Sequence, residues 1–467
     1  MKIKVKRSKG LQPGVTVVFI ALVLLVSDIV LAVSPESSEP TLAEQSMLVH
    51  APSIFQVKIV NRGSASPNSL GTGFVIGDGR FLATNYHVVS PAVLKPDENY
   101  VAIEVEGKEQ ELEVLALDVI HDLAILALPS ELKTITLSNQ TPPKGARLYS
   151  IGNPLDIGMT IVEGNYNGLV ESRFFDQIHF SGAINSGMSG GPTLNGQGEV
   201  VGINVASAGN QVGFLVPVEK LMILLNSLGN KFVKEETKEE IKNEAGDEVK
   251  DEIGEEVEQQ DELVEATPLQ KSIGVQIQSA THLMIDKLLE RQWPAEELGS
   301  ALVAGKAHHA VDCWGNSDTN NKTLFTKIQK GCNSRDSIYI SHHLRSGYIE
   351  YEFWYHEASE WPSTAFYRNA ILAFSNAGPG NQANGKYVDN YTCIDEVVQR
   401  ASDNFKRKIS YCTRPYTLFP DIFDVFYIGA SLDKKDRVVM EHFTLSGVSA
   451  VDAQRFLKRF MEQVSWK

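Results

Sequence analysis

Between Ser53 and Leu228 the apolar residues fall in short β-rich runs separated by Gly, Asn and Asp. The segment GTGFVIGDGRFLATNYHVV (71–89) predicts a strand, a turn at Asp78-Gly79 and a second strand leading to His87. LEVLALDVIHDLAILAL (112–128) predicts two more strands around Asp122, and GEVVGINVASAGNQVGFLVPV (198–218) a further pair broken by a Gly/Asn turn. No helical period is sustained until VEKLMILLNSLG at 218–229. Many short strands at this spacing indicate an antiparallel barrel or sandwich.

From 268 to 467 the pattern changes to that of an independent α+β domain. DSIYISHH and GYIEYEFWYH predict a hairpin joined through Arg345-Ser346-Gly347. In its second strand Ile349, Tyr351, Phe353 and Tyr355 share one face, and Glu350, Glu352 and Trp354 the other. Ser449 is placed to cap a terminal helix that buries Val451, Phe456, Phe460 and Val464. The aromatic residues here read first as core; a sugar or protein contact is the alternative. His308-His309, His342-His343 and His356 raise the question of a metal, but neighbours on a strand point to opposite faces and no HExxH or CxxC spacing occurs. No metal and no cofactor are expected.

Charge divides these regions. The 467 residues carry a net −15, of which −10 lies between Lys231 and Glu265, where 15 acidic and 5 basic residues occur with a single aromatic, Phe232. Such a stretch cannot bury enough apolar surface to order itself, so 231–267 is expected to be a disordered or partly helical tether. At the other end, Lys2, Lys4, Lys6, Arg7 and Lys9 precede an apolar run from Val15 to Val26 that exits at Ala32. This describes a signal peptide over 1–32, or an N-terminal anchor if uncleaved, followed by a linker over 33–49. Either way the bulk of the chain is exported, to the periplasm or beyond, with the membrane touched only through that segment. The acidic balance argues against nucleic acid as a partner. The four cysteines, Cys313, Cys332, Cys393 and Cys412, all lie in the last domain. Export favours disulfides; sequential pairing would close two loops of equal span, but three pairings are open.

His87, Asp122 and Ser189 follow one another within 50–230. A serine hydroxyl is a weak nucleophile that needs an adjacent base, and the base needs a carboxylate to fix its tautomer. Ser189 lies in NSGMSGGP, whose glycines let the backbone turn so that the N–H groups of Gly187 and Ser189 can face a developing oxyanion. Together GTGFVI, TNYHVV, HDLAILAL, INSGMSGGP and GFLVPV resemble the successive signatures of trypsin-like serine proteases of the Do/HtrA type, over residues 50–230. The resemblance implies two perpendicular six-stranded β-barrels with the active site between them. It implies His87 as general base, Asp122 as its orienter and Ser189 as the nucleophile that forms an acyl-enzyme, with Gly187 and Ser189 as oxyanion donors.

Two positions depart from the family pattern. Ser186 and Met188 stand where Pro and Asn are usual. Met188 cannot pair with a liberated N-terminal amine, so activation is expected not to require one; the lost Pro leaves the oxyanion turn open to loosening, with activity then conditional on substrate or partner. The resemblance puts Ala183 in the primary specificity pocket, with Val205, Ala206, Val212 and Phe214 as further walls. Nothing acidic stands at Ala183, so small or medium apolar residues are expected rather than Lys or Arg. The family usually continues into PDZ domains, and SIGVQIQ (272–278) is a faint match to a PDZ strand, but ERQWPAEEL and the long aromatic strands exclude one. The reading is an exported serine endopeptidase acting on proteins or peptides in quality control or processing. The alternatives are a catalytically silent homologue serving as a binding or chaperone module, and an adhesin-like C-terminal module for an envelope ligand with an auxiliary protease.

Overall fold

A computed structural model describes residues 39–229 and 266–467, apart from 208, 210, 321–323 and 382. The expected leader and almost all of the expected tether lie outside the described residues. No helix among the described residues is long and apolar enough to cross a membrane.

The first sheet contains β1 (Ile54–Asn61), β2 (Pro67–Ile76), β3 (Phe81–Thr84), β4 (Asn99–Val105), β5 (Lys108–Leu112), β6 (Val114–Asp118) and β7 (Leu123–Ala127). Its order is β5-β4-β1-β2-β3-β7-β6. The two edge strands, β5 and β6, are separated only by Glu113, so one bent run of chain borders both ends of the sheet and the seven strands amount to six segments. The short helix α1 (Tyr86–Leu94) follows β3, which puts His87 on its first turn rather than on a strand. The second sheet is a closed barrel of β8 (Arg147–Gly152), β9 (Thr160–Leu169), β10 (Ile178–Phe180), β11 (Pro192–Leu194), β12 (Val200–Ser207) and β13 (Gly213–Pro217). Helix α2 covers residues 218–229, where the helical period was read.

The C-terminal part opens on α3 (Pro268–Leu289), started by a Thr267/Gln270 capping box with Pro at its first turn. Residues 272–278 are therefore helical, not a strand. Ile273, Ile277, Ala280, Met284 and Leu288 recur at helical spacing and are buried. A small sheet joins β14 (Ala295–Leu298), β15 (Ala301–Ala304) and the terminal β25 (Ser465–Trp466). The main sheet has the order β16-β17-β20-β24-β23-β22-β21. Its strands are β16 (Val311–Asn320), β17 (Phe325–Ser334), β20 (Ile349–Glu357), β21 (Thr392–Gln399), β22 (Lys406–Tyr416), β23 (Phe419–Ser431) and β24 (Arg437–Val448). Helices α4 (Ser363–Ser375) and α5 (Ala450–Met461) complete the part.

The expected hairpin between 336–343 and 347–356 does not form. β18 (Ile338–Ser341) pairs instead with β19 (Leu344–Ser346), and β20 lies between β17 and β24 in the main sheet. The turn at His342-His343 is tight enough to fold the first segment on itself, which a purely alternating pattern does not reveal. The alternation in β20 holds, with Ile349, Tyr351, Phe353 and Tyr355 all buried. Ser449 does cap α5, accepting from the Asp452 N–H, but Val451 is 67% exposed. Ala453, Phe456 and Phe460 form the buried stripe at three- and four-residue spacing, which leaves Val451 off that face. His308-His309 lie in a turn rather than a strand, and their rings approach to 4.0 Å. The disulfides are Cys313–Cys332 and Cys393–Cys412. Each joins directly opposed residues, stapling edge strands β16 and β21 to their neighbours. With partners 19 positions apart in sequence, each removes about 3 kcal/mol of unfolded-chain entropy in the loop-closure picture.

The two parts are not independent. Residues Ser46–Lys467 form one compact unit. One apolar cluster contains Val88, Val89, Leu117 and Val119 together with Ile273, Ile277, Ile338, Ile340 and Phe419. At its edge Gln276 accepts from the Val119 N–H (2.8 Å) and donates to the Leu117 carbonyl (2.9 Å), and Tyr86 donates to the Ile340 carbonyl (3.0 Å). Sequence could not give this, because the face of α3 that meets the first part has the same composition as one that covers its own sheet.

Two outcomes follow from a shared core. Ile277→Ala should lower unfolding free energy by about 2–5 kcal/mol in urea titration, as for other buried Ile truncations. All five Trp lie after residue 268, so their fluorescence reports the C-terminal part and far-UV dichroism reports both. The two midpoints should coincide; well-separated midpoints would show independent domains.

Candidate active site

Asp122 sits in the turn between β6 and β7 with φ of 58°, a left-handed conformation that Asp tolerates better than most residues. The turn is built by Asp118, whose Oδ1 accepts from the N–H groups of Ile120 and His121, both at 3.0 Å. Asp118 Oδ2 lies 2.7 Å from His121 Nδ1. Burial resists charge on Asp118, but these bonds outweigh it and hold its pKa below the usual value. The Asp122 carbonyl in turn accepts from Asn85 Nδ2 (2.7 Å) and the Tyr86 N–H (3.2 Å), tying the turn to the start of α1.

His87 is thereby held twice. Asp122 Oδ1 accepts from its backbone N–H at 2.8 Å, and Asp122 Oδ2 lies 2.6 Å from its ring Nδ1. Burial disfavours the imidazolium and Arg345 opposes it. The Asp122 carboxylate, by charge and by hydrogen bond, prevails and raises the His87 pKa above 6.5. Nδ1 committed to the carboxylate leaves Nε2 to face outward.

Ser189 follows a turn whose carbonyls are all engaged. The Gly187 carbonyl accepts from Thr72 Oγ1 (2.7 Å), the Met188 carbonyl from Asn204 Nδ2 (3.2 Å) and the Ser189 carbonyl from the Thr72 N–H (2.8 Å). The Met188 N–H donates back to Asn185 (3.0 Å), whereas the N–H groups of Gly187 and Ser189 make no hydrogen bond within the described residues. Gly187 has φ of 93°, and a Cβ there would lie 2.3 Å from the Asn153 carbonyl oxygen. Only glycine fits. The side chain of Met188 is fully buried among Leu148, Phe180, Ile184 and Leu215, so it anchors the turn in the barrel core. Ser186 is exposed, and its carbonyl accepts from the Leu155 N–H at 2.9 Å. The Ser189 hydroxyl donates to the Val205 carbonyl at 3.2 Å and makes no hydrogen bond to His87.

The pocket candidates are gathered less tightly. Ala183, Val205, Val212 and Phe214 are all partly exposed, and Ala206 pairs through its backbone with Phe214. The segments carrying Ala183 and Phe214 meet closely, since a Cβ on Gly213 would lie 2.8 Å from the Gly182 carbonyl oxygen. The Arg173 guanidinium stands 5.5 Å over the Phe214 ring and is ion-paired with Asp336 at 3.6 Å.

Several supporting residues had no visible signal in the sequence. Thr72 lies inside the GTGF motif, where the glycines drew attention, and it proves to brace the serine turn. Asn204 ties that turn to β8 by donating to Ile151 (3.1 Å) while accepting from Ser150 and Thr193 (2.7 Å each). Tyr339 on β18 lies edge-on to the His87 ring, with centroids 5.9 Å apart. No pattern within either part alone points to that contact.

Residues 71–203 match the family model described as trypsin-like peptidase domain. A probable periplasmic serine endoprotease DegP-like of Rhizobium meliloti (strain 1021) is 32% identical over 178 residues, covering 36% of this chain and 34% of that protein. Serine endoprotease DegS of Salmonella typhimurium (strain 14028s / SGSC 2262) is 27% identical over 245 residues, 45% of this chain and 67% of its own. A solved serine endoprotease from Yersinia pestis is 28% identical over 41% of this chain and 68% of its own, with a TM-score of 0.36. The chain spans about a third of the length of the DegP-like relative. The similarity to trypsin-like peptidase domains and to DegP- and DegS-type serine endoproteases thus belongs to the N-terminal part, which holds His87, Asp122 and Ser189.

Proposed function

We propose that the protein is an exported serine endopeptidase that cleaves protein or peptide substrates through His87, Asp122 and Ser189. The observation that carries this reading is the double hold of Asp122 on His87, beside a turn in which the Gly187 and Ser189 N–H groups make no hydrogen bond among the described residues. In the proposed reaction the Ser189 hydroxyl swings from the Val205 carbonyl to His87 Nε2, which takes its proton as the oxygen attacks the scissile carbonyl. The oxyanion is received by the Gly187 and Ser189 N–H groups. His87 then protonates the leaving amine, and water hydrolyses the acyl-enzyme by the same route reversed. The periplasmic DegP-like relative supports an exported location. The buried Met188 supports activation without a liberated amine, since the turn is already anchored.

One observation favours the second reading, a silent homologue: the Ser189 hydroxyl rests on the Val205 carbonyl instead of His87. A fluorophosphonate probe separates the two. Wild type should label and Ser189→Ala should not, with kcat falling by roughly 10³–10⁶-fold on a casein substrate. A folded wild type that does not label would favour the silent homologue.

The pH dependence has a defined sign. Only neutral His87 can accept the Ser189 proton, so kcat/KM should rise with pH through the raised His87 pKa. Asp122→Asn should lower that pKa, read from the pH profile or from imidazole NMR; an unchanged value would rule out Asp122 as its cause. For stability, the pairing contributes fully below the unfolded value near 6.5 and is lost as pH rises through the raised folded value.

A further inference from the structure

The second face of the C-terminal sheet is covered by α4, whose Phe366 and Ala370 pack with Val438 and Met440. Where α4 ends, a cavity of about 230 Å³ remains, lined by Lys327, Trp354, His356, Asn376, Ile428 and Met440 among others. His356 is 4% exposed, yet neither of its ring nitrogens has a hydrogen-bond partner. A buried imidazole without partners is destabilising, because it has lost water and gained nothing. Such a group on a cavity wall calls for an occupant.

The surrounding charges choose its chemistry. Burial, joined by the Lys327 charge, holds His356 neutral down to about 4, so the ring offers one N–H donor and one acceptor. The exposed Lys327 ammonium forms no ion pair among the described residues. A second ammonium, Lys408, stands 5.9 Å over the ring of Phe374 near the end of α4. In the last turn of α4 the Leu372 and Phe374 carbonyls accept from the N–H groups of Asn376 and Ala377. Apart from Asn376, the rest of the lining is apolar.

We propose that this cavity binds a small carboxylate with an apolar body, its oxygens received by Lys327 and His356 and its body laid against Trp354, Ile428 and Met440. At ~30 Å³ of liquid volume per water, the space equals roughly eight waters. That suits a short aliphatic acid or a single-ring aromatic acid. An amine of the same shape would be repelled by Lys327. The site lies in the C-terminal part and does not depend on the peptidase reading.

Calorimetric titration of the full chain with hexanoate, benzoate and n-hexylamine tests this. At least one carboxylate should bind, n-hexylamine should not, and His356→Phe should weaken carboxylate binding at least tenfold. Lys327→Met should weaken it as well, and this exposed position keeps the test valid if His356→Phe misfolds. The unliganded His356→Phe protein should melt at or above the wild-type temperature, since an unpaired polar group is replaced by a ring of similar size. Absence of heat with both acids, equal binding of the amine, or carboxylate affinity unchanged in both variants would overturn the proposal.

Discussion

Burial of α1 between the two parts is the constraint on which the site depends. A nine-residue helix is too short to be stable by propensity alone, so its position comes from what covers it. Val88, Val89 and Val93 are buried in an apolar cluster to which the C-terminal part contributes Ile273, Ile277, Ile338 and Ile340. The same contact reaches the Asp122 turn through Gln276, which satisfies the backbone at Leu117 and Val119 just ahead of it. Both members of the His87–Asp122 pair are therefore seated on elements that the C-terminal part holds from behind. The loop between β9 and β10 is held similarly, with the Phe174 ring in the C-terminal core and its N–H donating to Asp336 Oδ2 at 2.7 Å.

The serine turn follows a different logic. It is fixed from the carbonyl side, by Thr72 and Asn204, and from below by Met188 in the barrel core. Backbone groups normally pair in both senses. Here the carbonyls are engaged while the Gly187 and Ser189 N–H groups make no hydrogen bond among the described residues, which gives a local excess of positive dipole at Ser189. Such preorganised donors need no rearrangement as negative charge develops. Ser186, where the family pattern has Pro, is no gap in this scheme, because its carbonyl is bonded to Leu155.

Much of the N-terminal part was legible in the sequence because its signals are local. Alternating strands, Asp78-Gly79 as a turn and the glycines around Ser189 each report on a few neighbouring residues. In the C-terminal part the β20 alternation and the Ser449 cap were legible for the same reason, whereas the choice among three cysteine pairings was not. What escaped depends on partners distant in sequence. The helix at 268–289 has a face shaped by another domain; β20 chose β17 and β24 over the nearer 338–341; Val451 is apolar yet points to solvent. Tyr339 beside His87 joins positions more than 250 residues apart, a relation for which one sequence carries no periodic trace.

Two histidines show how one added group reverses a titration. His87 and His356 both carry a burial penalty that favours the neutral ring. At His87 the Asp122 carboxylate overturns the penalty, and the pKa rises. At His356 the Lys327 charge adds to it, and the pKa falls to about 4. Burial alone would lower both pKa values, and the same charge acts further in a drier setting, so a carboxylate in contact with the ring is what reverses the sign. A carboxylate brought to His356 would thus do there what Asp122 does at His87, with the difference that Asp122 is covalently part of the chain and the other would have to arrive from solution.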